Sequence, residues 1–288
     1  MIPFLGAGAN LCGRPDGASW REGGYLPSGA ELAAYLAETY AFPEHEVSDL
    51  LRIAQYVDLK VGDAALFEEL HAIFAGRYAP NDLHGLLAAI PGWLRDNGQP
   101  ICGQLLISTN YDDAVERAFA EVGEKLDVVY YAAGPDEPGS FVHLRPDGEH
   151  VAIPGHTDYR AFELERRSVL LKIHGAVDRD DPDGDRYVIT EDHYIDYLAR
   201  ESVARLIPAY LMARMRTSHF LFLGYALRDW NLRVILRSIW AEQTRHFTSW
   251  AIHRSSSEID SRLWQRHQVE ILDLPLEEWV TGMRARMK

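Results

Sequence analysis

Cysteine is scarce in this chain: only Cys12 and Cys102 occur among its 288 residues. Two thiols this far apart in the sequence supply neither a four-ligand zinc site nor a disulfide framework. We therefore expect a protein of a reducing compartment that holds no metal.

Positive charge and long apolar runs are also scarce. Lys and Arg number 29 against 43 Asp and Glu, which gives a formal net charge of −14. Proteins that bind nucleic acids neutralise phosphates with Lys and Arg, so this balance argues against DNA or RNA as a direct ligand. No apolar stretch approaches the ~20 residues that a membrane span requires, and the apolar first residues show no charged leader or cleavage site. These absences predict a cytoplasmic protein without a membrane partner.

The sequence does contain a series of short, continuously apolar runs, the pattern of strands that are covered on both faces. They occupy residues 1–5, 104–109, 126–131, 168–173, 219–224, 248–253 and 269–272. Helical patterns follow several of them, at 112–123, 229–243, 256–267 and 275–287. This alternation predicts an α/β fold, a Rossmann-like doubly wound parallel sheet whose ligands bind at the carboxyl ends of the strands.

Residues 29–95 depart from the alternation because they contain consecutive helical patterns without a strand between them. We interpret the chain, 1–288, as a single domain in which 29–95 form a helical insertion packed beside the sheet. A stretch at 134–162 that is rich in Gly, Pro and Asp is compatible with a hairpin.

The first apolar run breaks at once into glycines, in the segment FLGAGAN. Gly6 and Gly8 would allow a tight turn and would let backbone amides face a phosphate group. Leu11 stands where the third glycine of the dinucleotide fingerprint belongs, and a long Gly-rich loop follows instead of a helix. Taken alone, the segment fits a nucleotide-binding turn and a purely structural turn equally well.

Polar side chains follow two other runs at their carboxyl ends. Thr109 ends the run 104–109 and Asn110, Asp112 and Asp113 follow it, and a helix N-cap accounts for one of these residues but not for all. His174 comes after the run 168–173, and its ordinary pKa of about 6.5 suits a general base. The alternative for this histidine is a hydrogen-bonded core residue.

A fourth strand end carries Gly224, and Asp229 and Asn231 begin the helical pattern that follows it. Here the functional interpretation is that Gly224 and the next turn line the other end of a bound nucleotide. The structural interpretation is a capped helix start.

Together, the segments GAGAN, STNYDD, KIHG and FLGYALRDWNLR resemble the bacterial sirtuin-like domains, relatives of the sirtuins that are found in antiphage defence systems. In that family a Gly-Ala-Gly turn binds NAD phosphate, and Gly6, Ala7 and Gly8 match it. The late segment GYALRD, from Gly224 to Asp229, is typical of the defence branch.

The resemblance also assigns the residues that carry the chemistry. Asn110 and Asp112 match the Asn and Asp of the segment that holds the nicotinamide ribose, and His174 matches the base. Asn10 replaces a Ser or Thr, and Thr109 stands where sirtuins have Gln. The paired CxxC motifs of deacylating sirtuins are absent, which argues against protein deacylation.

The function implied by the resemblance is NAD hydrolysis, with NAD as the substrate and nicotinamide and ADP-ribose as products. A glycosidic bond of this kind breaks through an oxocarbenium-like transition state. Asp112 would hold the carboxamide, Asn110 would orient the ribose hydroxyls and the attacking water, and His174 would accept a proton. The alternative is a non-catalytic module that senses NAD or ADP-ribose within a larger complex. Hydride transfer is disfavoured by Leu11 in the glycine fingerprint.

Partners enter only through the resemblance. It implies a homo-oligomer, or association with a helicase-like ATPase or a short Argonaute. It also implies that NAD depletion stops phage growth by abortive infection.

Overall fold

The fold is described from a computed structural model. It describes residues 1–45, 47–132, 139–153, 159, 161–179, 181–199, 206–225, 230–240, 248–254 and 256–287. Everything said below about structure concerns these residues.

The described residues form a nine-stranded sheet in the order β11-β10-β9-β1-β2-β6-β3-β4-β5, and a two-stranded ladder of β7 and β8. The strands are β1 (Ile2–Leu5), β2 (Leu105–Ser108), β3 (Leu126–Ala132), β4 (Ser140–Leu144), β5 (His150–Ile153), β6 (Ser168–Lys172), β7 (Gly175–Ala176), β8 (Arg186–Tyr187), β9 (Phe220–Leu223), β10 (Ser249–Ile252) and β11 (Val269–Leu272). All seven predicted strands are present and pair in parallel, while β4 and β5 add an antiparallel hairpin at one edge. The predicted doubly wound α/β fold is confirmed.

The strand order places a ligand-binding edge at the centre of the sheet. β1 pairs with β2 on one side and with β9 on the other, and β2 pairs in turn with β6. The next strand in sequence, β2, lies on one side of β1, whereas the much later β9 lies on its other side. Such a reversal of strand order is the topological switch point where α/β sheets bind ligands. The carboxyl ends of β1, β2, β6 and β9 therefore meet.

Helices cover both faces of the sheet and one end of the fold. They are α1 (Trp20–Gly23), α2 (Gly29–Thr39), α3 (Leu50–Val61), α4 (Asp63–Phe74), α5 (Asp82–Asp96), α6 (Ala114–Glu121), α7 (Glu191–Ala199), α8 (Ala209–Arg216), α9 (Trp230–Trp240), α10 (Glu258–Arg266) and α11 (Leu276–Arg286). Within 29–95, α2, α3 and α4 share one hydrophobic cluster, which also includes Tyr187 of β8, whereas α5 shares another with Leu106 of β2 and Phe119 of α6. The division into one domain with an inserted subdomain stays a prediction.

Three helices, the short α1 and the longer α7 and α8, were not predicted from the sequence. A start signal for α7 is present, because the Thr190 hydroxyl accepts a hydrogen bond from the His193 amide at 3.0 Å, which is the geometry of a helix N-cap. This helix directs Tyr194 and Tyr197 into the main core. Within the described ranges, no helix is both long enough and apolar enough to cross a membrane.

Candidate active site

A cleft of about 710 Å³ opens at the carboxyl ends of the central strands. Nine of the ten predicted site residues line it: Gly6, Ala7, Gly8, Asn10, Thr109, Asn110, Asp112, His174 and Gly224. The tenth, Asp229, lies outside the described residues. Residues that are far apart in the sequence thus meet in one place, as the strand order requires.

The glycine turn is built for contact with the end of β9. The Gly6 amide donates to Leu223 O at 3.1 Å, and the Gly8 amide donates to Gly224 O at 2.8 Å. A Cβ atom at Gly6 or Gly8 would lie 2.8 or 2.7 Å from Gly224 O, and Gly224 itself has a φ of +65°. Glycine is required at these positions because two backbone segments touch.

These contacts limit how the turn could bind a phosphate. The Gly6 and Gly8 amides are already bonded to the carbonyls of Leu223, the last residue of β9, and of Gly224. Gly224 contacts the glycine turn directly, and its position at the other end of a bound nucleotide stays a prediction. Among the described residues, no acceptor binds the Ala7 amide, so this is the amide of the turn that a phosphate could use.

Asn110 is tied to the same turn by its side chain. Its Nδ2 donates to Gly6 O at 3.1 Å, and the Thr109 amide and hydroxyl both approach Leu5 O, at 3.1 and 3.3 Å. The bond to Gly6 fixes which end of the Asn110 amide is the oxygen. That oxygen has no donor among the described residues and lies at the cleft, where a hydroxyl or water could donate to it.

Asp112 bonds both the start of a helix and a second residue of the cleft. Its Oδ1 accepts from the Ala114 amide at 3.0 Å, at the first residue of α6, and its Oδ2 accepts from Asn10 Nδ2 at 2.7 Å. A carboxylate only accepts, so it holds the Asn10 amide with the nitrogen toward it. The Asn10 oxygen is buried and has no partner among the described residues, which makes the Asn10–Asp112 pair a fixed polar group at the cleft.

His174 is almost fully buried at the same edge. Its Nδ1 lies 3.1 Å from the Tyr194 hydroxyl, and the two rings meet edge to face. Burial lowers the pKa of His174 to about 3, so the imidazole is neutral at pH 7. Its Nε2 has no partner in the described part of the chain and is a proton acceptor if Nδ1 carries the hydrogen.

Sequence reasoning missed the residue that ties these segments together. Lys172, at the end of β6, is 1% exposed, and its ammonium donates to the carbonyls of Tyr111 and Asp112 and to Glu116 Oε1. Burial raises the pKa of Glu116, and Lys172 opposes that rise. The sequence signal that could have identified this residue is the single lysine at the end of a run of buried apolar residues in β6.

The far end of the cleft was also missed. Ile252, His253 and Arg254, at and just after the end of β10, line it together with Leu274 and Glu277. The Glu277 carboxylate accepts from the Gly13 amide at 3.2 Å, which joins α11 to the loop after the glycine turn. Across the residues that could be described, no group of three or more His, Cys, Asp or Glu side chains is placed to hold a metal.

Comparisons with known proteins agree with this geometry. A family model described as SIR2-like domain matches residues 104–272, which include Asn110, Asp112, His174 and Gly224. The chain belongs to the SIR2-like family. The sequence resemblance to bacterial sirtuin-like domains is thereby confirmed.

This SIR2-like chain is also similar to the NAD(+) hydrolase ThsA of Cytobacillus dafuensis. The two are 25% identical over 195 residues, which are 67% of this chain and 30% of the relative. The chain thus matches less than a third of that protein's length.

Proposed function

We propose that this chain hydrolyses NAD at the nicotinamide–ribose bond. The observation that carries the proposal is the meeting of Asn110, Asp112 and a neutral His174 in one cleft, beside the turn of Gly6 to Gly8. NAD and water would give nicotinamide, ADP-ribose and one proton. The name of the similar ThsA, an NAD(+) hydrolase, supports the same reaction.

The cleft residues divide the work of binding. The Ala7 amide is available to a phosphate oxygen, while the turn behind it is held by Leu223 and Gly224. The carboxamide of nicotinamide would meet the Asn10–Asp112 pair, where the Asn10 oxygen is an acceptor without a partner in the described chain. Both oxygens of Asp112 already accept hydrogen bonds from the protein, so Asp112 also fixes Asn10.

The chemical step needs a stabilised cation and a proton acceptor. As the bond to nicotinamide breaks, positive charge develops on the ribose ring, and the Asp112 carboxylate provides negative charge nearby. The Asn110 oxygen would orient a ribose hydroxyl or the attacking water. The proton that water loses would pass to His174 Nε2, which is unprotonated at neutral pH.

A binding module that does not turn NAD over is the second candidate, and one observation favours it. His174 Nε2 is buried beneath protein atoms, so water must gain access to it before it can act as a base. The two functions differ in one measurement, the release of free nicotinamide from NAD by the purified chain. Release at a rate that falls when Asn110 is replaced by Ala supports hydrolysis. Calorimetric binding of NAD without any release, with and without the product of the neighbouring gene, supports sensing.

The cellular role is a further part of the proposal and rests on the family. We propose that NAD loss during phage infection stops phage growth, and that the chain acts as a homo-oligomer or beside a helicase-like ATPase or short Argonaute. Light scattering of the purified chain tests the first assembly, and co-purification with neighbouring gene products tests the second. NAD measured in infected cells, with the wild type and with His174→Ala, tests the role in defence.

A further inference from the structure

Lys172 is a charged residue in a place where charge is costly. The other β6 residues flanking it, Leu170 and Leu171, and the next residue, Ile173, are fully buried, and Lys172 itself is 1% exposed. Moving an ammonium group out of water costs several kcal/mol unless partners replace the lost hydration. The position of those partners therefore indicates what the lysine does.

Among the residues that the structure describes, all the partners of the ammonium come from one segment. Lys172 Nζ lies 3.1 Å from Tyr111 O, 2.6 Å from Asp112 O and 2.9 Å from Glu116 Oε1. A lysine ammonium has three hydrogens, so each of them has an acceptor. Two acceptors are backbone carbonyls of the turn between β2 and α6, and the third is on the first turn of α6.

This turn and the strand of Lys172 carry the two halves of the candidate site. Asn110 and Asp112 belong to the turn, and His174 follows Lys172 by two residues. Beyond the paired strands, the main chain adds one more link, from the Val177 amide to Tyr111 O at 2.9 Å. The lysine is thus a direct side-chain link between the strand that presents the base and the turn that presents the amide and the carboxylate.

We infer that Lys172 is a positioning residue, which sets the distance between His174 and the Asn110–Asp112 turn. Glu116 is its counter-ion and makes the pair neutral, so that the link adds no net positive charge beside a developing ribose cation. The inference rests on the proposed NAD hydrolysis for its effect on rate, but the link itself can be tested without activity.

The test compares a variant that should lose stability but keep the carbonyl contacts of Lys172 with a variant that loses those contacts. Glu116→Gln keeps both carbonyl contacts but leaves the lysine without a counter-charge, so stability falls while kcat is largely kept. The double variant Lys172→Met with Glu116→Gln removes both charges, so that no buried charge is left without a counter-ion, but it also removes the carbonyl contacts. We expect its kcat to fall about 100-fold, the effect of misplacing catalytic groups by about 1 Å, with KM little changed.

The matched control removes an ion pair beyond the other end of α6. Arg95 and Glu124 are paired there, with Arg95 Nη1 3.1 Å from Glu124 Oε2, and the double variant Arg95→Met with Glu124→Gln should keep kcat. If kcat follows the melting temperature across all three variants, Lys172 only stabilises the core and the inference is wrong. If the Lys172 double variant does not fold, Glu116→Gln decides: retained kcat supports the inference, and lost kcat overturns it.

Hydrogen exchange separates this inference from the proposed function. The amides of residues 109–113 should exchange faster in the Lys172 double variant than in the Arg95 control, while β1 and β9 stay equally protected. Equal exchange at 109–113 in both would overturn the inference even if the wild type cleaves NAD. Faster exchange there would support it even if the wild type releases no nicotinamide, a result that would end only the proposal of hydrolysis.

Discussion

His174 and His143 are both buried histidines near the same sheet, yet their surroundings are opposite. His143, on β4, has both ring nitrogens occupied, by the Tyr159 hydroxyl at 2.8 Å and by Asp127 Oδ1 at 2.9 Å. His174 has a tyrosine on Nδ1 and no described partner on Nε2, and it borders the cleft. A buried histidine with every nitrogen bonded holds the fold together, whereas one with a nitrogen to spare at a cleft can take part in chemistry.

The largest expected effect comes from replacing His174, the histidine at the cleft, and it tests whether this residue differs in function from His143. His174→Gln should lower kcat for NAD cleavage by about 100- to 10,000-fold, because glutamine can hydrogen-bond but cannot take up the proton. The melting temperature should change little. The measurement is nicotinamide release by chromatography, with circular dichroism on the same sample, and a folded variant with normal turnover contradicts the role of base.

The reciprocal change at the sheet edge should cost stability instead of activity. His143→Ala leaves the buried Asp127 with Arg167 alone, whose Nε lies 3.1 Å from Asp127 Oδ2. A hydrogen bond to a charged group contributes about 1.5 to 3 kcal/mol, and the remaining arginine places the expected loss near the lower end. Urea unfolding measures it. Below the unfolding transition, kcat should equal that of the wild type, and a selective loss of kcat would show that His143 is not merely structural.

The comparison also explains what the sequence could and could not predict. The seven parallel strands follow from continuous apolar runs, and the meeting of Asn110, Asp112 and His174 follows from strand ends sharing one edge. The family resemblance singled out His174, but the residue types and their spacing alone could not distinguish a structural His143 from a functional His174. Their difference lies in the partners of the ring nitrogens, and Tyr194, for example, is 20 residues from His174.

Lys172 and the glycine turn are two further cases in which the role of a residue depends on contacts between distant parts of the sequence. The lysine's acceptors lie 56 to 61 residues away, so only the folded chain shows that it holds the turn of Asp112. Gly6 and Gly8 were correctly expected in a tight turn, but the reason for them is the contact with Gly224. That contact requires knowledge of which strand lies beside β1.

Low pH should lower the free energy of unfolding, because the fold keeps two histidines buried and neutral. Burial lowers the pKa of His174 to about 3 and that of His84 to about 4, from an ordinary value of 6.5. As the pH falls from 6.5 to about 4, the unfolded chain binds protons at both residues and the folded chain does not. The free energy of unfolding should therefore fall with decreasing pH, by about 1.4 kcal/mol per pH unit for each histidine.

Urea unfolding between pH 7 and pH 5 measures this slope. His174→Gln and His84→Gln should each remove one histidine's share of it. Slopes that are identical in the wild type and in both variants would mean that neither histidine is kept neutral by the fold. The activity of the wild type should show no loss centred at pH 6.5, because His174 remains deprotonated there.

The smallest expected effects come from Tyr194 and Tyr159, the tyrosines bonded to His174 and His143. The same substitution can be made beside each histidine, so the two results can be compared directly. Tyr194→Phe removes the hydroxyl beside His174 Nδ1, and one hydrogen bond is worth about 0.5 to 1.5 kcal/mol. If that bond orients the base, kcat should fall by up to about tenfold, beside a loss of about 1 kcal/mol in the free energy of unfolding. Tyr159→Phe removes the equivalent hydroxyl from His143 and should lower only the free energy of unfolding, by about 1 kcal/mol. A fall in kcat for both variants, or for neither, would contradict the distinction between a histidine that acts and a histidine that only packs.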